Sequence, residues 1–210
     1  MMETELLKVL DESGRCLGTA TREEVHRKGY WHETFHCWMT ERWMDRIYLY
    51  FQLRSSCKKD YPSLLDITAA GHLLADETAE DGVREVEEEL GLSIRFQELA
   101  SLGTIPWTGS SGDIIDRELA RVYLYHQESP ISGFFLQKEE VAGMVKADLR
   151  EFEELVLGER DLLHVTGFKE QEDGEKVLLE DSVDLSAFVP HTISYYLELF
   201  KQIRLNLRLC

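Results

Sequence analysis

The chain has 210 residues, 43% hydrophobic and 10% aromatic, which suits one domain with a sizeable core and additions better than two full domains. A formal charge of −17 argues against a nucleic-acid polymer or an anionic membrane as partner, because binding a polyanion draws on a surplus of Lys and Arg that this surface lacks. No run of roughly 18 apolar residues offers a membrane span, no signal peptide is recognisable, and Cys16, Cys37, Cys57 and Cys210 form no C-x-x-C pair, so reduced thiols and a cytoplasmic location are expected.

In chain order, Leu6 to Leu10 and Cys16 to Thr21 flank a Gly-containing turn and predict a short hairpin. Thr21 is a candidate N-cap for a short helix over Arg22 to Arg27, stopped at Gly29. Thr34 to Met39 and Ile47 to Leu53 predict a second hairpin around the polar segment Thr40 to Arg46. Leu65 to Thr68 reads as a strand leading to Ala70-Gly71-His72, and a helix is expected from about Thr78 to Leu90. Ser93 to Leu102 and Ala120 to Tyr125 are strand candidates with a Gly/Ser loop, Thr108 to Gly112, between them. Glu139 to Leu157 reads as helical or turn-rich, and Gly167 to Glu180 as an exposed loop. A long terminal helix from about Val189 to Leu207 would turn Ile193, Tyr196, Leu197, Phe200, Ile203 and Leu207 to one side.

The stretch GHLLADETAEDGVREVEEELGL carries the strongest functional signal. On a helix, Glu85, Glu88 and Glu89 fall at i, i+3 and i+4 and share a face opposite Val83, Val86 and Leu90. Hard divalent cations prefer such oxygens, and Mg²⁺ keeps waters that a phosphate can replace; the plain alternative is a solvated acidic face. These residues resemble the Nudix box, G-x5-E-x7-R-E-U-x-E-E-x-G-U with U a bulky aliphatic. Gly71, Glu77, Arg84, Glu85, Val86, Glu88, Glu89, Gly91 and Leu92 fill its positions. One departure is present: six residues, Thr78 to Val83, separate Glu77 from Arg84, where the pattern has seven. Gly82 lies in that shortened segment, where glycine weakens a helix by about 1 kcal/mol relative to alanine.

The resemblance covers roughly residues 1 to 150. It implies a Nudix-type α/β/α sandwich with a mixed β-sheet, here a single domain over 1–210 with an N-terminal β-hairpin extension and a C-terminal helical extension. It further implies a metal-dependent hydrolase that cleaves a diphosphate linkage in a nucleoside diphosphate-type or related small phosphorylated metabolite. Glu85, Glu88 and Glu89 would be catalytic and, with the Ala70 carbonyl and Glu118, would bind Mg²⁺ or Mn²⁺, while Gly71, Glu77, Arg84 and Gly91 would be structural. A homodimer is compatible with the resemblance, the apolar side of the terminal helix serving either a partner or the chain's own core.

A second constellation is His26, His32, His72, Asp116 and Glu118. GTATREEVHRKGYWHETFHCW, a following Q-L-R segment and AGH together resemble isopentenyl diphosphate isomerase, a Nudix-superfamily enzyme in which residues at these five positions hold a metal. The isomerase also uses a cysteine two residues before its turn histidine, and Ala70 stands there. Alanine can neither give nor take a proton, which moves the expected chemistry from isomerisation to hydrolysis. Asp116 and Glu118 at i and i+2 of a strand point to one side, and either can complete a metal shell or act as base on water. His36 and His164 read as structural. Trp31, Trp38, Trp43, Tyr48, Tyr50 and Trp107 read either as sheet and core aromatics or as a base-stacking platform. The alternatives kept open are an isomerase-like enzyme, a non-catalytic metabolite-binding module and an acidic interaction protein.

Overall fold

The computed structural model describes residues 5–112 and 114–209, so Cys210 lies outside the described residues. The elements in order are β1 (Leu6–Leu10), β2 (Cys16–Thr21), α1 (Arg22–Lys28), β3 (Trp31–Trp43), β4 (Arg46–Arg54), β5 (Leu65–Asp66), β6 (Ala69–His72), α2 (Arg84–Leu90), β7 (Ala100–Ser111), β8 (Ile114–Gln127), β9 (Val141–Asp148), α3 (Leu149–Val156), β10 (Leu163–Glu170), β11 (Lys176–Val183) and α4 (Ile193–Leu207). Among the described residues one sheet of 11 strands forms, in which β3 and β8 pair in parallel and the other ladders are antiparallel.

β3 organises the sheet because it reads as an unbroken buried run from Thr34 to Glu41, the signature of a strand covered on both faces. Trp38 belongs to a core with Phe152 of α3 and Tyr195, Leu199 and Phe200 of α4. Phe35, Cys37 and Met39 belong to a second core with Val86 and Leu90 of α2. Helices therefore cover the mixed sheet from both sides, as the α/β/α expectation required.

The first hairpin and α1 form as the local sequence dictates: the Thr21 hydroxyl accepts from Glu24 N, and Gly29 closes the helix in the left-handed region. Elsewhere tertiary pairing overrides local appearance. Thr40 to Arg46 is mostly strand, with a two-residue turn at Met44 and Asp45, because Glu41 is buried against Lys146, Tyr50 and the Ile131 amide. Ser93 to Leu102 is largely irregular, and a 3-10 turn at Phe96–Glu98, held by Arg95 N to the Glu98 carboxylate, delays β7 to Ala100. Thr108 to Ser111 extends β7 instead of forming a loop. Glu139 to Leu157 divides into β9 and α3, and Gly167 to Glu180 is part of the β10–β11 hairpin. A Cβ at Gly167 would overlap Met144 O and lie 2.7 Å from Val145 Cα, so glycine marks the close approach of β9 and not a loop. On α4 the buried residues are Tyr195, Tyr196, Leu199, Phe200 and Ile203, while Ile193 and Leu197 are exposed, a rotation of the expected face.

Candidate active site and metal centre

The box spans β6, a connecting loop and α2. The helix begins later than the expected Thr78: the Asp81 carboxylate accepts from Thr78 N at 2.8 Å, a 3-10 turn covers Asp81–Val83, and α2 starts at Arg84. This tight turn absorbs the missing residue, because Glu77 and Arg84 still meet side-on, Nε to Oε1 at 2.7 Å and Nη2 to Oε2 at 3.0 Å. Glu77 also accepts from Leu74 N, and Arg84 Nη2 reaches His72 O, so the pair locks the loop to the β6 turn. Gly82 has a packing reason: a Cβ there would lie 2.6 Å from the Phe35 ring. Gly91 ends α2 in the left-handed conformation.

The three box glutamates occupy different environments. Glu85 packs its carboxyl directly against Gly71, where a Cβ would overlap it, the more distant oxygen standing at 2.5 Å. Burial pushes Glu85 up to about 7 against the opposing pull of Arg84, whose Nη1 donates to it at 2.5 Å. Glu89 is 6% exposed and accepts from Gln52 Nε2 at 3.2 Å and Ala70 N at 3.3 Å. Burial, then the charge of Glu85, pushes it up to about 8. Glu88 is exposed and held by Arg84 Nη1 at 3.2 Å. Among the described residues, these three do not bring their oxygens within 4.8 Å of one another, whereas two histidine-containing groups do reach that closeness.

Those groups are His26, His32 and His72, and His32, Asp116 and Glu118. α1 supplies His26, β3 His32, β6 His72, and β8 both acids. The three imidazoles lie with ring centroids 5.1 Å apart in every pairing, and His26 Nε2 is 3.2 Å from His72 Nε2. The Asp116 carboxylate stands 3.4 Å from His32 Nε2 and 3.7 Å from His26 Nε2. His32 Nε2 and Asp116 Oδ1 are nevertheless buried without a hydrogen-bond partner. Burial lowers His32 to about 4, lowers His26 and His72, and raises both Asp116 and Glu118. Neutral imidazoles beside buried carboxyls, with orphaned atoms on both, form a donor set that a divalent cation satisfies. Register separates this cluster from the box. In the β3–β6 ladder His72 pairs with Thr34 and Gly71 with Phe35, so adjacent turn residues serve opposite faces.

His164, read as structural, is exposed, and His36, also read as structural, is buried and in contact with Glu118. Its Nε2 lies 3.2 Å from Glu118, its Nδ1 2.9 Å from Tyr195 Oη, and Trp38 Nε1 donates to that same oxygen at 3.0 Å. Thr34 Oγ1 donates to Glu118 as well. Gln52 and Arg54 were not singled out as site residues from the sequence, and Lys58, Asp66 and His191 carried no motif there. Lys58 exerts its charge on both Glu89 and His72, and Arg54 binds Asp66 at 2.8 Å and Asp60 at 2.9 Å. His191 Nε2 lies 3.0 Å from Asp66. The Q-L-R segment was the available signal for Gln52 and Arg54; His191 offered none beyond its type. Trp38, Tyr50 and Trp107 are buried, which removes them from any exposed stacking platform.

No family profile matches the chain. It is 38% identical over 195 residues, 93% of its length and 95% of the relative's, to an uncharacterized Nudix hydrolase of Clostridium acetobutylicum. Over 95 residues, 44% of this chain and 50% of the other, it is 36% identical to an isopentenyl-diphosphate Delta-isomerase of Corynebacterium diphtheriae. The crystal structure of a MutT protein from Methanosarcina mazei aligns with a TM-score of 0.52 at 14% identity, over 83% of this chain and 95% of that one, a likeness of fold alone. The mixed sandwich and the filled box define a Nudix-type protein. The chain belongs to the Nudix hydrolase family.

Proposed function

We propose that the protein is a metal-dependent pyrophosphohydrolase that cleaves a diphosphate linkage in a nucleoside diphosphate-type or related small phosphorylated metabolite. The observation that carries this reading is the pair Glu85 and Glu89, desolvated beside the Ala70–Gly71 turn and pushed up to about 7 and 8. A divalent cation is the species that offsets two such carboxylates, and it reverses the local field for an anionic substrate in a chain of net charge −17. Glu85, Glu88, Glu89 and the Ala70 carbonyl would hold Mg²⁺ or Mn²⁺. His26, His32, His72, Asp116 and Glu118 would hold a second ion, a fit supported by the orphaned His32 Nε2 and Asp116 Oδ1. Bound there, such ions supply charge neutralisation of the diphosphate and activation of water.

The chain's own residues prepare the site. Arg84 and Glu77 fix the turn, and Gln52 and the Ala70 amide orient Glu89. His36, held through Tyr195, presents Nε2 to Glu118 and can keep or pass a proton there. Ala70 supplies no acid or base, which leaves the isomerase chemistry without its thiol.

The test is product release from nucleoside diphosphate derivatives, sugar diphosphates and isoprenoid diphosphates with Mg²⁺, Mn²⁺ or chelator, using the wild type and E85Q, E88Q and E89Q. Metal-dependent hydrolysis that drops roughly 100-fold or more in each variant is expected. Undiminished rates in the variants would overturn the assignment of the box.

A further inference from the structure

On the α2 face of the sheet, beside the second core, lies a cavity of about 290 Å³. Among the described residues that line it are neither the box glutamates nor the members of the histidine–carboxylate centre. Strand register builds it. Tyr50 of β4, Lys146 of β9 and Thr166 of β10 form one cross-strand row, Met144 and Phe168 form the next, and Lys176 of β11 lies opposite Glu170 one step further on. Phe134, in the irregular segment between β8 and β9, closes the cavity. The rings of Tyr50, Phe134 and Phe168 follow one another at centroid separations of 5.9 and 6.1 Å, an aromatic wall. Leu178, paired with Phe168, and Phe135, whose ring centroid is 5.7 Å from Lys176 Nζ, are each 76% exposed and continue the apolar surface at the rim.

The two lysines of the cavity differ in how their charge is matched. Lys146 donates to the Glu41 carboxylate, which is 0% exposed and also accepts from Tyr50 Oη and the Ile131 amide. Lys176 has no carboxylate partner among the described residues, because Glu170, its ladder neighbour, pairs with Lys138 at 3.5 Å. Its Nζ donates instead to Phe134 O and stands 4.8 Å from the centroid of the Phe168 ring. An ammonium carries three N–H donors, and the carbonyl takes one. Lys176 is exposed, so the remaining donors are open to a ligand. In a chain with 40 acidic and 23 basic residues, a lysine held over aromatic rings beside an apolar cavity, without a carboxylate, is the complement of one negative charge on an apolar body. The volume lies at the small end of ligand cavities, roughly 300–1,000 Å³, and suits a single substituted ring.

We propose that this cavity binds a small aryl monocarboxylate, with its carboxylate on Lys176 and its ring against Phe134 and Phe168. The ligand is distinct from the diphosphate substrate, and its binding needs neither metal nor hydrolysis.

Isothermal titration calorimetry in chelator compares phenylacetate with phenylacetamide, which keeps the shape and loses the charge, and with phenethylammonium, which reverses it. The proteins are the wild type, Lys176→Met, which keeps most of the apolar stem, and Lys176→Arg, which keeps the charge; thermal melting confirms that each is folded. The wild type is expected to bind phenylacetate saturably and to give no binding of the cation. The amide and Lys176→Met should each weaken binding about tenfold, and Lys176→Arg should stay within about threefold of the wild type. Methyl-labelled methionine spectra locate the ligand: the Met144 signal, assigned through Met144→Leu, should shift during the titration. No saturable binding of phenylacetate by roughly 10 mM, equal affinity for acid and amide, an affinity unmoved in Lys176→Met, or binding that leaves the Met144 signal in place would overturn the proposal.

Discussion

Gly71→Ala tests the contact on which the box geometry depends. The added methyl carbon would overlap the Glu85 carboxyl, whose farther oxygen stands 2.5 Å from the Cβ position. Glu85 cannot withdraw freely, because its carboxylate is held by Arg84 Nη1, which is itself tied to Glu77, Glu88 and the His72 carbonyl. Overpacking of this kind costs about 1–3 kcal/mol. At this chain length each kcal/mol lowers Tm by roughly 2–4 °C, so a fall of roughly 2–12 °C is expected. Thermal unfolding followed by near-ultraviolet circular dichroism in chelator measures it, alongside hydrolysis with Mn²⁺. Glu85→Ala removes the obstacle, so the double variant should recover most of the stability lost by Gly71→Ala, with a coupling of about 1–3 kcal/mol, and none of the activity. Additivity of the two substitutions to within about 0.5 kcal/mol would refute the contact.

The remaining expectations concern protons, the loop lock and the missing thiol. Burial holds Glu85 and Glu89 at about 7 and 8 in the folded chain against an ordinary 4.5, so the stability they contribute is present at low pH and lost as pH rises through those values. His32, lowered to about 4 from 6.5, acts oppositely, but its contribution is complete above 6.5. In chelator, Tm should therefore fall between pH 6.5 and 8, and Mn²⁺ should raise Tm more at the upper end; a chelator Tm that climbs over this interval would contradict the burial of these carboxyls. Glu77→Gln removes the charge from a side-on pair only partly open to solvent, which should cost roughly 1–2 kcal/mol and lower activity as Arg84 is released toward Glu85; an unchanged melting curve would show that the pair does not hold the loop. Incubation with isopentenyl diphosphate should give no dimethylallyl diphosphate by proton NMR, and its formation would show that a group other than residue 70 supplies the acid.

The elements legible in the chain are those whose cause is local. Thr21 and Gly29 cap α1 through their own hydrogen bond and backbone conformation, and the β1–β2 hairpin needs only its turn and its alternation. The box was legible because its spacing writes Glu77, Arg84, Glu85 and Glu89 into one loop and one helix, and the short loop changed the start of α2 without breaking the Glu77–Arg84 pair. β9 was not legible, since Gly143 and Lys146 weaken its apolar pattern and the reasons for them lie elsewhere. Gly143 admits the backbone of Phe168 and Lys169, and Lys146 meets the buried Glu41. β10 and β11 were obscured in the same way by Gly167 and by charges that face solvent.

The sequence by itself determined the family, the acidic helix and the identities of five candidate ligands, His26, His32, His72, Asp116 and Glu118, because motif spacing and strand alternation are properties of neighbouring residues. Only the tertiary structure decided that these five converge in two overlapping groups, that Glu89 is buried and Glu85 half-buried while Glu88 is exposed, and that His36 contacts Glu118. The physical reason is that convergence depends on the parallel β3–β8 ladder, which brings together groups as distant in sequence as His32 and Glu118. Desolvation is likewise a property of the folded volume around a carboxyl, and nothing in the order of residues along α2 distinguishes Glu88 from Glu89.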